Sequence, residues 1–212
     1  MWVDGLFVVL TIANLILLGT TRLSHSIRVV AVQGVLLALL PILRVESIHV
    51  TRALFLVVLT AALKGGVFPA MLMRSMREAS VRREMEPMLG FTASMALGVA
   101  MLAASFWMGG RMQALGLEVS PISMASVLFM MFTGILLLTA RRKALTQVLG
   151  FLVLENGIYG FGLLVAGSVH WLVEVGVLLD VFVAVFVMGI AVYHINREFD
   201  HMNVDELDRL RG

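Results

Sequence analysis

The sequence contains no cysteine. Without thiolates, the chain alone holds no Cys-ligated iron–sulfur cluster, nickel–iron centre or structural zinc. Charge is scarce too: Asp, Glu, Lys and Arg make up 14% of the 212 residues, and the formal net charge is +2. So small an excess, with its bases gathered at segment ends, argues against nucleic acid as a partner. The five histidines (His25, His49, His170, His194, His201) are dispersed near predicted helix ends and show no metal or haem spacing. Met1-Trp2-Val3-Asp4 lacks the basic start of a secretory signal, so the first apolar segment is expected to be retained. Barrel-type alternation of apolar and polar residues is missing. No nucleophile–base constellation or metal set points to a free-standing enzyme.

What the chain has instead is apolar sequence: 60% hydrophobic residues and a mean hydropathy of +0.98. A soluble domain of this length cannot hide that much apolar surface, whereas a bilayer accepts it. A span needs roughly 20 predominantly apolar residues. Suitable runs fall at about 3–21, 27–43, 53–73, 88–108, 121–140, 145–167 and 170–194, each long enough to cross. The expected fold is therefore all-α, a polytopic membrane bundle of about seven transmembrane helices.

Loop charge sets an orientation. One side receives Arg22, Arg28, Arg74, Arg77, Arg82, Arg83, Arg141, Arg142, Lys143, Arg197, Arg209 and Arg211; the other receives Arg44, Arg52 and Arg111. With an odd number of spans, this bias places the N-terminus outside and the C-terminal tail in the cytoplasm.

More than a residue or two inside the ends of the predicted spans lie four ionisable residues: Lys64, Glu155, Glu174 and Asp180. A charge at the bilayer centre costs several kcal/mol and usually marks function. At about 1.5 Å per residue, Lys64, Glu155 and Asp180, each about ten residues into its span, fall near the midplane. Glu174 lies about one turn inside the outer boundary, within snorkelling reach of interfacial water. Groups at one depth and of both signs suggest a hydrated polar layer able to exchange protons, a relay. The competing reading is that the acids are neutral and hydrogen-bond adjacent helices. Lys64 and Asp180, being costly alone, are each expected to lean on another ionisable group, with one another as the candidate pair.

Lys64-Gly65-Gly66 is followed by Pro69, whose missing N–H weakens the preceding turn. That leaves either a loosened helix lining a wet cavity or a tolerated kink with close packing at the glycines. The fifteen methionines and the stretch Gly157-Ile158-Tyr159-Gly160-Phe161-Gly162 read as packing. Tyr159 is one turn beyond Glu155 on the same face, placing its hydroxyl as a supporting partner. A shift of 116 residues lays Gly34 on Gly150, Phe55 on Trp171 and Lys64 on Asp180 without a gap, in the manner of a parallel repeat.

The segment Arg141-Arg142-Lys143, followed by Gln147-Val148-Leu149-Gly150-Phe151-Leu152-Val153-Leu154-Glu155-Asn156-Gly157, resembles subunit K of bacterial respiratory complex I. In that family a cytoplasmic Arg pair precedes a helix with a mid-membrane Glu, and a second Glu lies in the next helix. The tail Met202-Asn203-Val204-Asp205-Glu206-Leu207-Asp208-Arg209-Leu210-Arg211-Gly212 is similar as well. The extra N-terminal half, with Leu154-Glu155-Asn156-Gly157 and Glu174-Val175-Gly176-Val177-Leu178-Leu179-Asp180, resembles the hydrogenase-4 component E family.

That resemblance implies a membrane subunit of an energy-converting nickel–iron hydrogenase, related to formate hydrogenlyase and complex I. Its buried acids would belong to a proton-conducting hydrophilic axis, with Glu155 matching the first K-subunit Glu and Asp180 the second. Arg142 to Glu155 is about one helical turn longer than in the K subunit, and Asp180 is one methylene shorter than Glu, so exact register differs. The implied regions are 1–115, an N-terminal membrane part of about four helices with the repeat or a J-type replacement; 116–196, the K-like three-helix part; and 197–212, a cytoplasmic tail. Implied partners are antiporter-like membrane subunits, the H-type membrane subunit and the hydrogenase peripheral arm, in a prokaryotic cytoplasmic membrane. Iron–sulfur and nickel–iron centres would reside in those partners, with no cofactor in this chain. Two other readings stay open: the small subunit of a multi-subunit sodium/proton antiporter, and a purely structural assembly subunit.

Overall fold

A computed structural model describes residues 2–41, 50–78, 90–141 and 144–165, together with Leu179, Val181, Phe182, Val185 and Gly189. Its elements are α1 (Trp2–Gly19), α2 (Leu23–Leu39), α3 (Val50–Ala62), a π turn (Leu63–Val67), α4 (Phe68–Glu78), α5 (Phe91–Ala114), α6 (Pro121–Ala140) and α7 (Ala144–Val165). Among the described residues the chain is all-helical, without a strand. Four segments are long and apolar enough to cross a membrane: Val57–Arg77, Thr92–Ala114, Pro121–Ala140 and Ala144–Val165. Val3–Gly19 and Leu23–Leu39 are shorter apolar helices. The expected span at 170–194 lies almost wholly outside the described residues.

Helix ends differ from the hydropathy boundaries where polar residues continue a helix. The second run was expected to start at residue 27, yet α2 begins at Leu23 and takes Ser24, His25 and Ser26 into its first turn. The Arg22 carbonyl accepts the amides of His25 and Ser26 at 3.0 and 3.1 Å. Hydropathy locates the hydrocarbon layer, while backbone hydrogen bonding carries the helix past it. At the far end of α5, Gly116 adopts φ 94°. Its amide bonds Gln113 O, and Leu117 N–H reaches back to Met112 O at 3.3 Å. This left-handed cap satisfies orphan carbonyls and turns the chain towards α6, which opens with Pro121 directly after Ser120.

The bundle is built around α6, whose residues Ser123 to Met130 are all buried. Helices α1, α5 and α7 pack against it, and α2 bridges α7 to the α3–α4 unit. The opposite face of α1, with Val8, Val9, Ile12 and Ile16, is exposed as a lipid-facing surface would be. The tightest contact joins α6 and α7. A Cβ at Gly134 would collide with the Leu154 backbone, and one at Gly157 would stand 2.8 Å from Met131 N. The two helices run antiparallel here, in a register that sets Thr133 level with Glu155.

Of the three glycines at this contact, Gly150 has a glycine 116 positions before it, Gly34, and both are sites of close approach, whereas Leu18 and Pro41 precede Gly134 and Gly157.

Candidate functional site: a buried ion pair at mid-bundle

Lys64 sits midway along Val50–Glu78, within the π turn. The local sequence explains that turn. Pro69 has no N–H to give Gly65 O, so one rung of the α-helical ladder is lost, and the two glycines resist helix weakly. The chain widens, and Phe68 N–H bonds Leu63 O, five residues back. Helix α2 comes close beside it: a Cβ on Gly34 would stand 2.6 Å from Lys64 Cβ. Only a residue without a side chain allows that approach, and it leaves Lys64 6% exposed.

The ammonium points at α7. Lys64 Nζ lies 2.7 Å from Glu155 Oε1 and 2.9 Å from Asn156 Oδ1. The Tyr159 ring centroid is 5.7 Å from Nζ, a cation–π distance. Glu155 and Asn156 are each 2% exposed. The pair is thus enclosed on every side, where Coulomb attraction is strong but desolvation is costly. Such an arrangement persists only if both charges stay matched. Glu155 Oε2 has no hydrogen-bond partner among the described residues, so one carboxylate oxygen is left open to accept a proton.

Two more amides lie in the same layer. Gln33 Nε2 donates to Asn14 Oδ1 at 3.1 Å, and Asn14 Nδ2 donates to Leu10 O at 3.0 Å; both residues are fully buried. Helices α1 and α6 run side by side in the same direction. Ser123 Oγ donates to Asp4 Oδ1 at 3.1 Å, and Ser126 Oγ donates to Phe7 O at 2.7 Å. Both contacts hold one constant offset, which sets Asn14 level with Thr133. Asn14, Gln33, Thr133, Lys64, Glu155 and Asn156 therefore form one polar layer across α1, α2, the π turn, α6 and α7. Gln33 Oε1 and Thr133 Oγ1, like Glu155 Oε2, are buried without a hydrogen-bond partner among the described residues.

A cavity of ≈ 10 Å³ lies beside Lys64 and Asn156, walled by Ile27, Val30, Phe68 and Leu72. These residues place it on the side of the pair towards Arg22 and Arg74. Its size is about that of one water molecule.

Of the residues expected from sequence, Lys64 and Glu155 are brought into direct contact, with Tyr159 beside them. A carboxylate against Lys64 is that of Glu155 on α7, and the widened turn and Gly34 set the lysine stem beside α2; the expected pairing of Lys64 with Asp180 falls on a residue outside the described ones. Tyr159 offers Lys64 its ring. Asp180 and Glu174 lie outside the described residues. Asn14, Gln33, Thr133 and Asn156 carried no sequence expectation. Being uncharged, they did not stand out as ionisable groups in a span, yet Asn14 and Gln33 are the lone amides of α1 and α2. Among the described residues there is no group of three or more His, Cys, Asp or Glu able to hold a metal ion.

No family model matches the chain, and no solved structure does. The sequence is similar to an uncharacterized protein of Mycobacterium tuberculosis, Rv0085, at 29% identity over 204 residues, covering 95% of this chain and 92% of that one. The likeness therefore runs through the whole bundle, including both helices that bear the ion pair.

Proposed function

We propose that this chain is a non-catalytic membrane subunit of a complex I-related, energy-converting nickel–iron hydrogenase, and that it carries buried carboxylates of a mid-membrane proton path. The observation that supports this best is the buried Lys64–Glu155 pair, with one carboxylate oxygen unpartnered among the described residues. A purely mechanical link between helices is more cheaply made by apolar packing, since buried ion pairs rarely stabilise more than the hydrophobic residues that could replace them. The bistable character of such a pair suits charge movement instead. A π turn at the lysine fits the same role, because such turns recur at functional positions in helices.

In this reading the bundle has seven spans, with the N-terminus outside and residues 197–212 in the cytoplasm of a prokaryotic cell. Residues 116–196 form the K-like part, Asp180 continues the relay beyond Glu155, and Glu174 lies nearer the outer surface. Residues 1–115 supply Lys64. Antiporter-like subunits, the H-type subunit and the peripheral arm are the neighbours, and the metal centres are theirs.

Mass spectrometry of the detergent-purified complex tests the assembly: a nickel–iron large subunit is expected beside this chain. Antiporter subunits without it would favour a multi-subunit sodium/proton antiporter. Glu155→Gln tests the role. Electron transfer to a soluble acceptor should persist while proton translocation in sealed vesicles falls strongly. Unchanged translocation with normal assembly would reduce the pair to a structural link, a reading that the Asn156 contact to Lys64 also accommodates.

A further inference from the structure

The face of α1 that meets α6 carries Asp4, Thr11 and Asn14, at steps of seven and three residues. Each finds a polar partner across a helix boundary. Asp4 accepts from Ser123. Thr11 Oγ1 lies 2.9 Å from Ser126 Oγ, and the two hydroxyls share Phe7 O as an acceptor at 3.0 and 2.7 Å. Asn14 accepts from Gln33. From Asp4 to Asn14 the helix rises about 15 Å, half of a roughly 30 Å hydrocarbon layer. Thr11 bonds its own backbone at Phe7 O, as threonines in membrane helices commonly do, and in addition meets Ser126 across the helix boundary. This polar seam ends at the level of the Lys64–Glu155 pair, where Gln33 Oε1, Thr133 Oγ1 and Glu155 Oε2 are buried without a partner among the described residues; Thr60 Oγ1, one turn before Lys64, is a fourth such oxygen.

The chemistry of the first three is complementary to water. Gln33 Oε1 and Glu155 Oε2 only accept, and the Thr133 hydroxyl both donates and accepts. A water molecule donates twice and accepts twice, so one or two of them would satisfy all three groups.

We infer that the α1–α6 seam is the outer limb of a proton path, and that water bridging Gln33, Thr133 and Glu155 joins it to the Lys64–Glu155 pair. This rests on the proton-conducting reading of that pair. Asp4 marks the mouth, the Thr11–Ser126 hydroxyls the middle, and Asn14–Gln33 the inner end. A proton arriving along the water forms an O–H bond at Glu155 Oε2. The carboxylate becomes neutral, its Coulomb hold on Lys64 is lost, and the ammonium keeps its contacts to Asn156 and the Tyr159 ring. The cavity beside Lys64 and Asn156 lies on the opposite side of the pair from the seam, so access differs on its two flanks.

The absence of native cysteine gives a direct test. Single variants Thr11→Cys, Ser126→Cys and Thr133→Cys are made in the full complex, with Ile12→Cys and Ile135→Cys as controls on outward, apolar positions. Silver ion, close to water in size, is applied from outside to sealed right-side-out vesicles, and protected thiols are counted by alkylation and mass spectrometry after denaturation. Thiolates form in water and not in hydrocarbon, so the three seam positions should react about tenfold faster than the two controls. Equal rates at all five positions would overturn the seam as a wet path. In parallel, the double variant Thr11→Val, Ser126→Ala should cut proton translocation severalfold while electron transfer to a soluble acceptor is kept; full translocation would also overturn it. Glu155→Gln separates the two ideas. If Glu155→Gln leaves translocation intact, the proton-conducting reading fails, while silver access still reports whether the seam is wet.

Discussion

Gly34 of α2 lies against the stem of Lys64, so close that a methyl group at residue 34 would come within 2.6 Å of Lys64 Cβ. The neighbouring atoms there are Cβ, Cγ and Cδ of the lysine, the near part of a side chain whose ammonium is held at Glu155 and Asn156. Gly34→Ala should therefore push α2 away from the π turn and loosen the Lys64–Glu155 contact. Overpacking of this kind costs about 1–3 kcal/mol. Thermal unfolding of the detergent-purified protein should show a lower midpoint, with Gly5→Ala, which meets nothing within 4 Å, close to wild type. An unshifted midpoint for Gly34→Ala would mean that the helix pair yields freely.

The ion pair predicts a non-additive pattern. Lys64→Met strands the Glu155 charge, and Glu155→Gln strands the ammonium, so each single change should destabilise by about 3–5 kcal/mol. The double variant removes both charges and should regain much of that loss in complex yield, while failing to translocate protons. Yields that simply add would indicate that the two residues answer to different neighbours. An Asp180→Asn variant joined to Lys64→Met tests the other expected pair: losses smaller than additive would bring Asp180 to Lys64 as well, and additive losses would sink that pairing.

The α6–α7 contact is a backbone-to-backbone approach, because a Cβ on Gly134 would strike Leu154 main-chain atoms. Main chain cannot rotate aside as a side-chain tip can. Gly134→Val should thus lower the yield of folded protein more than Gly34→Ala does, and Gly157→Val should resemble it. Recovery of either variant at wild-type yield would argue that α6 and α7 are less tightly seated.

Orientation is open to chemical labelling. With the N-terminus outside, Met112→Cys at the outer end of α5 should react with an impermeant thiol reagent added to intact cells, and Ser80→Cys should react only after permeabilisation. Arg111 stacks 5.4 Å from the exposed Trp107 ring near that end, the kind of aromatic–cation grouping found at a membrane boundary. Reaction of Ser80→Cys in intact cells would invert the topology.

The positions of α6 and α7 were legible almost to the residue, since 121–140 and 145–167 are bounded by loops rich in turn or charged residues. Lys64 and Glu155 stood out because a charge in a 20-residue apolar run is conspicuous. Their partnership was hidden: nothing in a single sequence says which helices adjoin, and the 116-residue shift set Lys64 over Asp180, which lies outside the described residues. The contact that decides it is made by Gly34, whose role is to be small. Asn14, Gln33 and Thr133 escaped for a different reason. A neutral amide or hydroxyl leaves a span hydrophobic enough to insert, and its importance emerges only when the fold denies it a partner. The irregularity around Lys64-Gly65-Gly66 and Pro69 was readable, though not its form as a widened turn.

That widened turn also governs the angular phase of everything after it. Inward-facing Lys64, Phe68 and Leu72 succeed each other at steps of four. On a regular helix of 3.6 residues per turn, each such step would drift about 40° around the axis, so Leu72 would have swung well away from the line of Lys64. The extra residue taken up between Leu63 and Val67 cancels that drift and keeps α4 facing α2. Removing one residue from the turn, for example Gly66, would restore an ordinary helix and leave Phe68 and Leu72 near their present phase, because the turn already absorbs the extra residue. Lys64 would then stand three residues before Phe68 rather than four, out of line with it by about 60°. The turn therefore works as a phase correction between two half-helices, and a one-residue deletion there should be worse tolerated than a substitution at either glycine.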